Sequence, residues 1–240
     1  MKSKILILFF VASSALFAKA NNEIPKVANA PYAPSENDQA FFPLKTGSVQ
    51  VFLNRNADGV VTSKTKRTIK SITGDKNAFA IGYEIEQLDE IGKSVVEDNP
   101  FRFNHKVVIS NGFMYFDMKE MFAALEDIES VHVIGSPLKI PTTLEVGQSI
   151  PDAYAHVTVG AINYILQMTE GKCIAIEDVK LQAGTFRCYK VFQKTASTVA
   201  GVTAEGTTIA WYAIGIGAIK SEKYDQYGNL HSSQELIVAI

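Results

Sequence analysis

The stretch FRFNHKVVISNGFMYF, residues 101–116, decides the fold. Residues 101–110 and 113–116 are rich in Phe, Val, Ile and Tyr, which suit a pleated, half-buried surface. Between them lies Asn111-Gly112, the dipeptide favoured in tight hairpin turns. The stretch reads as two antiparallel strands reversing on two residues.

The same grammar extends upstream. Val49, Val51 and Leu53 alternate with Ser48, Gln50 and Phe52. Asn54 to Gly59 is a turn, and Val60 to Thr73 is a long returning strand. Gly74-Asp75-Lys76-Asn77 turns again. Phe79, Ile81, Tyr83 and Ile85 then share one side of a strand, with Glu84 and Glu86 on the other. Asp89 to Lys93 turns, and Ser94 to Val96 begins a short strand that Asn99-Pro100 breaks.

Downstream, Met118, Met121, Phe122, Leu125 and Ile128 recur at three- and four-residue steps behind Asp117, with Glu120 placed for a capping box. The spacing predicts one helix over 118–127. Ser130 to Ile134 is a further strand, and Pro137, Pro141 and Pro151 punctuate a loop-rich crossing that could mark a seam in the sheet. Strands resume near Ala155, Ile162, Ile174 and Thr185. Val199 to Glu205 reads as a loop of small residues. Thr207 to Tyr212, Ala218 to Tyr224 and Leu230 to Val238 close the domain. Short strands separated by turn signals mark an all-β meander. The expected class is mainly β: a large curved antiparallel sheet, half-barrel or open barrel, of ten to twelve strands with one short helix packed on it.

Before this body the chain carries Lys2 and Lys4, the uncharged apolar run 5–18, and Ala18-Lys19-Ala20. Basic, then apolar, then small-x-small is the layout of a secretory signal peptide cut near Ala20. The apolar run is short for a permanent anchor, and no second one follows, so no transmembrane span is expected in the mature chain. The domains read as 1–20 signal peptide, 21–40 flexible leader with Pro25, Pro31 and Pro34, and 41–240 single curved β domain. Phe41-Phe42-Pro43-Leu44 is expected to plug into that domain. The location is the periplasm, or outside the cell.

The composition, 47% hydrophobic and 20% charged, is that of a folded globular chain. Losing Lys2, Lys4 and Lys19 with the signal leaves 20 basic against 25 acidic side chains, a net of −5. Such a balance gives no electrostatic reason to seek nucleic acid or anionic lipid headgroups. The basic run Lys64-Thr65-Lys66-Arg67-Thr68-Ile69-Lys70 reads as the wet side of a strand.

Motifs that would carry chemistry are missing from the sequence. His105, His132, His156 and His231 have no partner at a metal-ligand spacing. Asn54-x-Asn56-x-Asp58-Gly59 imitates a calcium loop, but its twelfth position is Thr65 where Glu is required, and a β-turn accounts for the same residues. There is no G-x-S-x-G and no P-loop, and Gly215-Ile216-Gly217 lacks the third glycine of a dinucleotide site. No metal, cofactor or enzymatic activity is expected. Cys173 and Cys188 could form a disulfide in an oxidising compartment, or remain buried thiols. Facing Lys180 with Phe186 puts Cys188 opposite Asp178, too far along the hairpin for a bridge unless a bulge or another register intervenes.

Three stretches carry a family resemblance. They are Trp211-Tyr212-Ala213-Ile214-Gly215-Ile216-Gly217-Ala218-Ile219-Lys220 with Glu222, Tyr224-Asp225 and Gly228; Ala183-Gly184-Thr185-Phe186-Arg187-Cys188-Tyr189-Lys190; and Phe42-Pro43-Leu44-Lys45-Thr46-Gly47. Together they resemble TapB-like exported proteins of Gram-negative bacteria, a family distantly like the periplasmic lipoprotein-carrier (LolA-like) half-barrels. The resemblance implies a strongly curved sheet with a helix on its concave side, and no particular activity. Ile214 stands where that family commonly has Pro, which touches turn stiffness only.

Two functions follow as expectations. One is a non-catalytic binding module holding a hydrophobic or lipid-like molecule in the concave sheet, with Phe79, Tyr83, Phe103, Tyr115, Tyr164 and Trp211 as its wall. The other is an envelope structural or interaction protein that docks a partner protein through its leader or a sheet edge.

Overall fold

A computed structural model describes residues 23–35, 38–94, 102–118, 131–160 and 162–240. Fourteen strands occur among them: β1 Val49–Asn56, β2 Val61–Gly74, β3 Ala78–Leu88, β4 Arg102–Ser110, β5 Phe113–Phe116, β6 Val131–Ser136, β7 Leu138–Pro141, β8 Ser149–Ile150, β9 Ala153–Val159, β10 Ile162–Leu181, β11 Gly184–Val199, β12 Val202–Ala213, β13 Gly217–Asp225 and β14 Leu230–Ala239. All belong to one sheet. The neighbour order is β6-β9-β10-β11-β12-β13-β14-β1-β2-β3-β4-β5-β7, with β8 beside β10.

The turns are built as their residues dictate. Asn111 and Gly112 both adopt positive φ, 51° and 76°, as a two-residue primed turn requires. Asn56 Oδ1 accepts the backbone N–H groups of Asp58 and Val60, so the calcium-like letters make an Asx-type turn. Asp225 does the same for Tyr227 and Asn229 in the last turn.

The chain's first and last strands lie side by side: Val49 and Ile240 exchange backbone hydrogen bonds of 2.8 and 2.9 Å. From β1 the sheet grows in both directions until its edges are β6 and β7. Those edges are joined by Pro137 alone. With Cα atoms 3.8 Å apart along a chain, Ser136 and Leu138 cannot be more than about 7.6 Å apart. The sheet must therefore roll until its edges meet. It is a nearly closed barrel: the expected mainly β, curved antiparallel sheet (half-barrel or open barrel) is present, with fourteen strands rather than ten to twelve.

The strand reading differs from the structure in three places. Pro137 to Pro151, taken as a crossing, contains β7 and β8. Ile162 and Ile174, taken as separate strands, lie in the single 20-residue β10. Val199 to Glu205, taken as a loop, turns only at Ala200-Gly201, and β12 starts at Val202. The helix expected over 118–127 lies, apart from Met118, outside the described residues, as does the signal segment. Among the described residues no helix is long and apolar enough to cross a membrane.

The interior holds the largest apolar cluster, including Ile69, Ile72, Phe79, Ile81, Val107, Ile109, Met114, Cys173 and Val191. Ala40, Phe41 and Phe42 belong to it although they lie outside every strand. Phe41 is 1% exposed and Phe42 3%, so the expected plug is present. The leader reaches it along a defined path. Ile24 and Val27 pack over Ala80, Val108 and Tyr115. Ala30 accepts from Gly74 N–H and Tyr32 donates to Ile72 at the β2 end, and the Tyr32 ring meets Phe79 with centroids 5.3 Å apart.

Candidate functional site

Strand alternation explains where the charges of β2 go. Lys66 and Lys70 pair with Glu86 and Glu84 on β3, at 3.1 and 3.0 Å. Thr65, Arg67 and Ile69 have the opposite parity. Ile69 is buried, and Arg67 turns the same way.

The Arg67 guanidinium lies over three rings, 5.0 Å from the centroids of Phe42 and Phe52 and 5.6 Å from that of Tyr83. Phe42 belongs to the main interior cluster and Phe52 to a second one, with Cys188, Trp211, Ala213, Ile219 and Leu236. Arg67 thus marks the border between two apolar regions. Its Nη1 donates to Gln50 Oε1 at 3.1 Å. Gln50 is itself buried and donates to the Ile216 carbonyl at 2.9 Å. Arg67 Nε is buried without a partner.

Such an arrangement is costly. A buried charge is normally paired with an opposite one, and three aromatic faces supply only part of that by cation–π attraction. Burial accordingly lowers the Arg67 pKa, opposed by electrostatic interaction with Tyr83 and Tyr212. Burial pushes the Tyr212 hydroxyl up to about 12, with Arg67 pulling it the other way. Around them stand Phe41 against Tyr189 and Tyr212, at 5.1 and 5.9 Å, and Phe42 against Tyr83 at 4.9 Å.

The six aromatic side chains singled out from sequence do not form one wall. Phe79 and Tyr83 line the main interior cluster. Tyr115 lies in the cluster under the leader, Tyr164 beside Leu166 and Val157, and Trp211 in the second cluster. Phe103 sits on β4 opposite Ile85, and its side chain falls outside the described residues. Trp211 and Tyr212 do separate into different clusters, as strand neighbours should. Trp211 is clamped: Lys190 Nζ and Lys220 Nζ each lie 4.9 Å from its ring centroid, and its Nε1 donates to Glu177 Oε1 at 2.6 Å.

Arg67 was missed by sequence reasoning because its run looked solvated. Its spacing of two from Ile69 was the available signal.

The cysteines are both free and both fully buried. Lys180 faces Thr185, one place off the assumed register, and Cys188 faces Glu177 while Cys173 faces Val191. They sit in different apolar clusters. The disulfide considered from sequence is therefore absent.

The histidines fall on β4, β6, β9 and β14. His132 and His156 are diagonal neighbours across β6 and β9, and His156 Nε2 lies 3.1 Å from Asn163 Oδ1. Among the described residues no three His, Cys, Asp or Glu side chains gather to hold a metal ion. An outer cleft of about 470 Å³ is lined by polar groups including Gln167, Glu170, Lys194, Glu205 and Asp225, and Lys194 is already paired with Glu170 at 2.7 Å.

Two solved structures share this architecture. A candidate exported protein of Bacteroides fragilis with a YmcC-like fold superposes with a TM-score of 0.67 at 19% identity, covering 85% of this chain and 100% of that one. A candidate lipoprotein of Parabacteroides distasonis gives 0.70 at 18% identity, with the same coverage. No curated protein matches the sequence. The pattern of the family described as DUF3108-like matches residues 45–236, nearly the whole barrel, and the chain belongs to that family.

Proposed function

We propose that this is an exported, non-catalytic binding protein of the bacterial envelope, and that its rolled sheet takes a hydrophobic, lipid-like molecule into the interior. The observation that carries this reading is the Ala40–Phe42 plug. It fills aromatic space inside the barrel without being a strand, so it can leave without breaking a strand pair. A single backbone hydrogen bond, Gly215 N–H to Ala40 C=O at 2.8 Å, ties Ala40 there.

The signal layout of residues 1–20 supports export, as do the descriptions of the two similar structures. The resemblance of 183–190 and 211–228 to TapB-like exported proteins also supports export, and the apolar, aromatic interior supports an apolar ligand. The wide separation of most histidines supports a role without catalysis. Docking of an envelope partner through the leader or a sheet edge is the weaker alternative, because the leader is packed on Ala80, Val108 and Tyr115 and the edge strands β6 and β7 are short.

Uptake of a fluorescent fatty acid by delipidated protein tests the proposal. Saturable binding is expected, strengthened in a Phe41→Leu variant that trims the plug at a smaller cost in stability. No uptake by the wild-type protein would overturn it.

A further inference from the structure

Arg67 is the least explained group in the molecule. Its neighbours Lys66 and Lys70 have carboxylate partners. Among the described residues Arg67 has none, and its only hydrogen bond is from Nη1 to Gln50. Nε is buried and unpartnered, and Nη2 donates to nothing among the described residues. The Nε–Nη2 edge is the side-on fork that takes a carboxylate or phosphate with two parallel hydrogen bonds. That fork has no partner among the described residues.

Nε itself is buried, while other surface around it is accessible. Arg67, Tyr189 and Tyr212 each keep part of their surface accessible, although Arg67 and Tyr212 lie deep enough for burial to dominate their titration. That surface adjoins the main apolar cluster, through Phe42 at Arg67 and Phe41 at Tyr189 and Tyr212. The rings that border it, Phe41, Phe42, Tyr83, Tyr189 and Tyr212, are suited to an aliphatic chain.

We infer that the Nε–Nη2 edge of Arg67 seats the anionic head of a single-chain amphiphile whose apolar tail runs along the aromatic interior. The inference rests on the binding reading above and names the ligand class it lacks: an acyl chain ending in a carboxylate or phosphate. Gln50 holds Nη1 and so fixes the plane of the fork. Phe52 and Tyr83 keep water from its faces, which strengthens a charge-assisted pair.

The test compares three probes of equal chain length on the delipidated full chain: palmitate, 1-hexadecanol and 1-palmitoyl-lysophosphatidate. Palmitate or the lysophosphatidate should bind at least about tenfold more tightly than the alcohol, the size of one hydrogen bond to a charged group. Which of the two is tighter tells a free fatty acid from a phospholipid source. Arg67→Gln should bring all three within about twofold, while Arg67→Lys, which keeps the charge and loses the fork, should fall between.

Equal binding of acid and alcohol by the wild-type protein would overturn the Arg67 assignment and leave the apolar chamber standing. Binding of none of the three would overturn both. The wild-type comparison decides the matter even where Arg67→Gln does not fold.

Discussion

Ser136 and Leu138, two residues apart, stand on opposite edges of one sheet. Ser136 pairs with Tyr154 on β9, and Leu138 pairs with Phe116 on β5. A single segment, 131–141, therefore closes the barrel, serving one edge with its first half and the other edge with its second.

On this closing segment, Gly135 has no room on its β9 side. A Cβ there would collide with the backbone carbonyl of Tyr154 and press on the Ala155 Cα. Gly135→Val should lower stability by about 1–3 kcal/mol, the usual range for overpacking. Ile134→Thr, at the exposed neighbouring position, should stay within about 0.5 kcal/mol. Urea unfolding of the two variants checks the contrast, and similar values would contradict the close approach of β6 to β9 at Gly135.

Phe41 and Phe42 should each cost about 3–5 kcal/mol when cut to Ala, as buried Phe side chains do. Chemical denaturation measures this. Losses below about 1 kcal/mol would mean that the plug is an accessory rather than part of the core.

Both thiols should survive export unbridged. Burial raises the Cys173 pKa, and burial, helped by Asp178 and Glu177, pushes Cys188 up to about 11. Since the thiolate is the reactive form, both should react with a disulfide reagent at pH 8 on the order of a hundredfold slower than a free cysteine. Denaturation without reductant should release two thiols per chain. One or none released would indicate a bridge.

Much of the architecture was legible because turn chemistry is local. Asn111-Gly112, Asn56 to Gly59 and Asp225 to Asn229 encode their reversals within a few residues. Which side a residue faces was not legible, because bulges break the two-residue alternation. Register shifts occur at Val51/Phe52, Asn54/Arg55, Ile69/Ser71, Cys173/Ala175 and Trp211/Tyr212. Each lets neighbours of the same parity point to opposite faces. Trp211, beside one of these shifts, lies apart from Phe79 and Tyr83, whereas Tyr115 faces away from them by ordinary alternation along β5. The closing segment was obscured for another reason: its prolines, which read as loop, sit in short edge strands where proline is tolerated.

The Trp211 clamp gives a pH signature. The Trp211 N–H, then Lys190 and Lys220, hold the Glu177 carboxyl below its ordinary value. A carboxylate with a depressed folded pKa contributes stability above its unfolded pKa, about 4.3, and loses it as pH falls through the folded value. Trp211 fluorescence should therefore be steady from pH 7 to about 4.5 and change below it. Glu177→Gln should abolish that acid limb. An unchanged limb in the variant would assign it to another group.

The chamber itself is tested most directly by photolabelling with a palmitate analogue that carries a diazirine at its terminal methyl, followed by peptide mapping. Label is expected on the interior strands, in peptides containing Tyr83, Tyr189 or Tyr212, and should be competed away by unlabelled palmitate. Label confined to exposed positions such as Ile91 and Tyr227, or insensitive to competitor, would contradict an amphiphile-binding barrel.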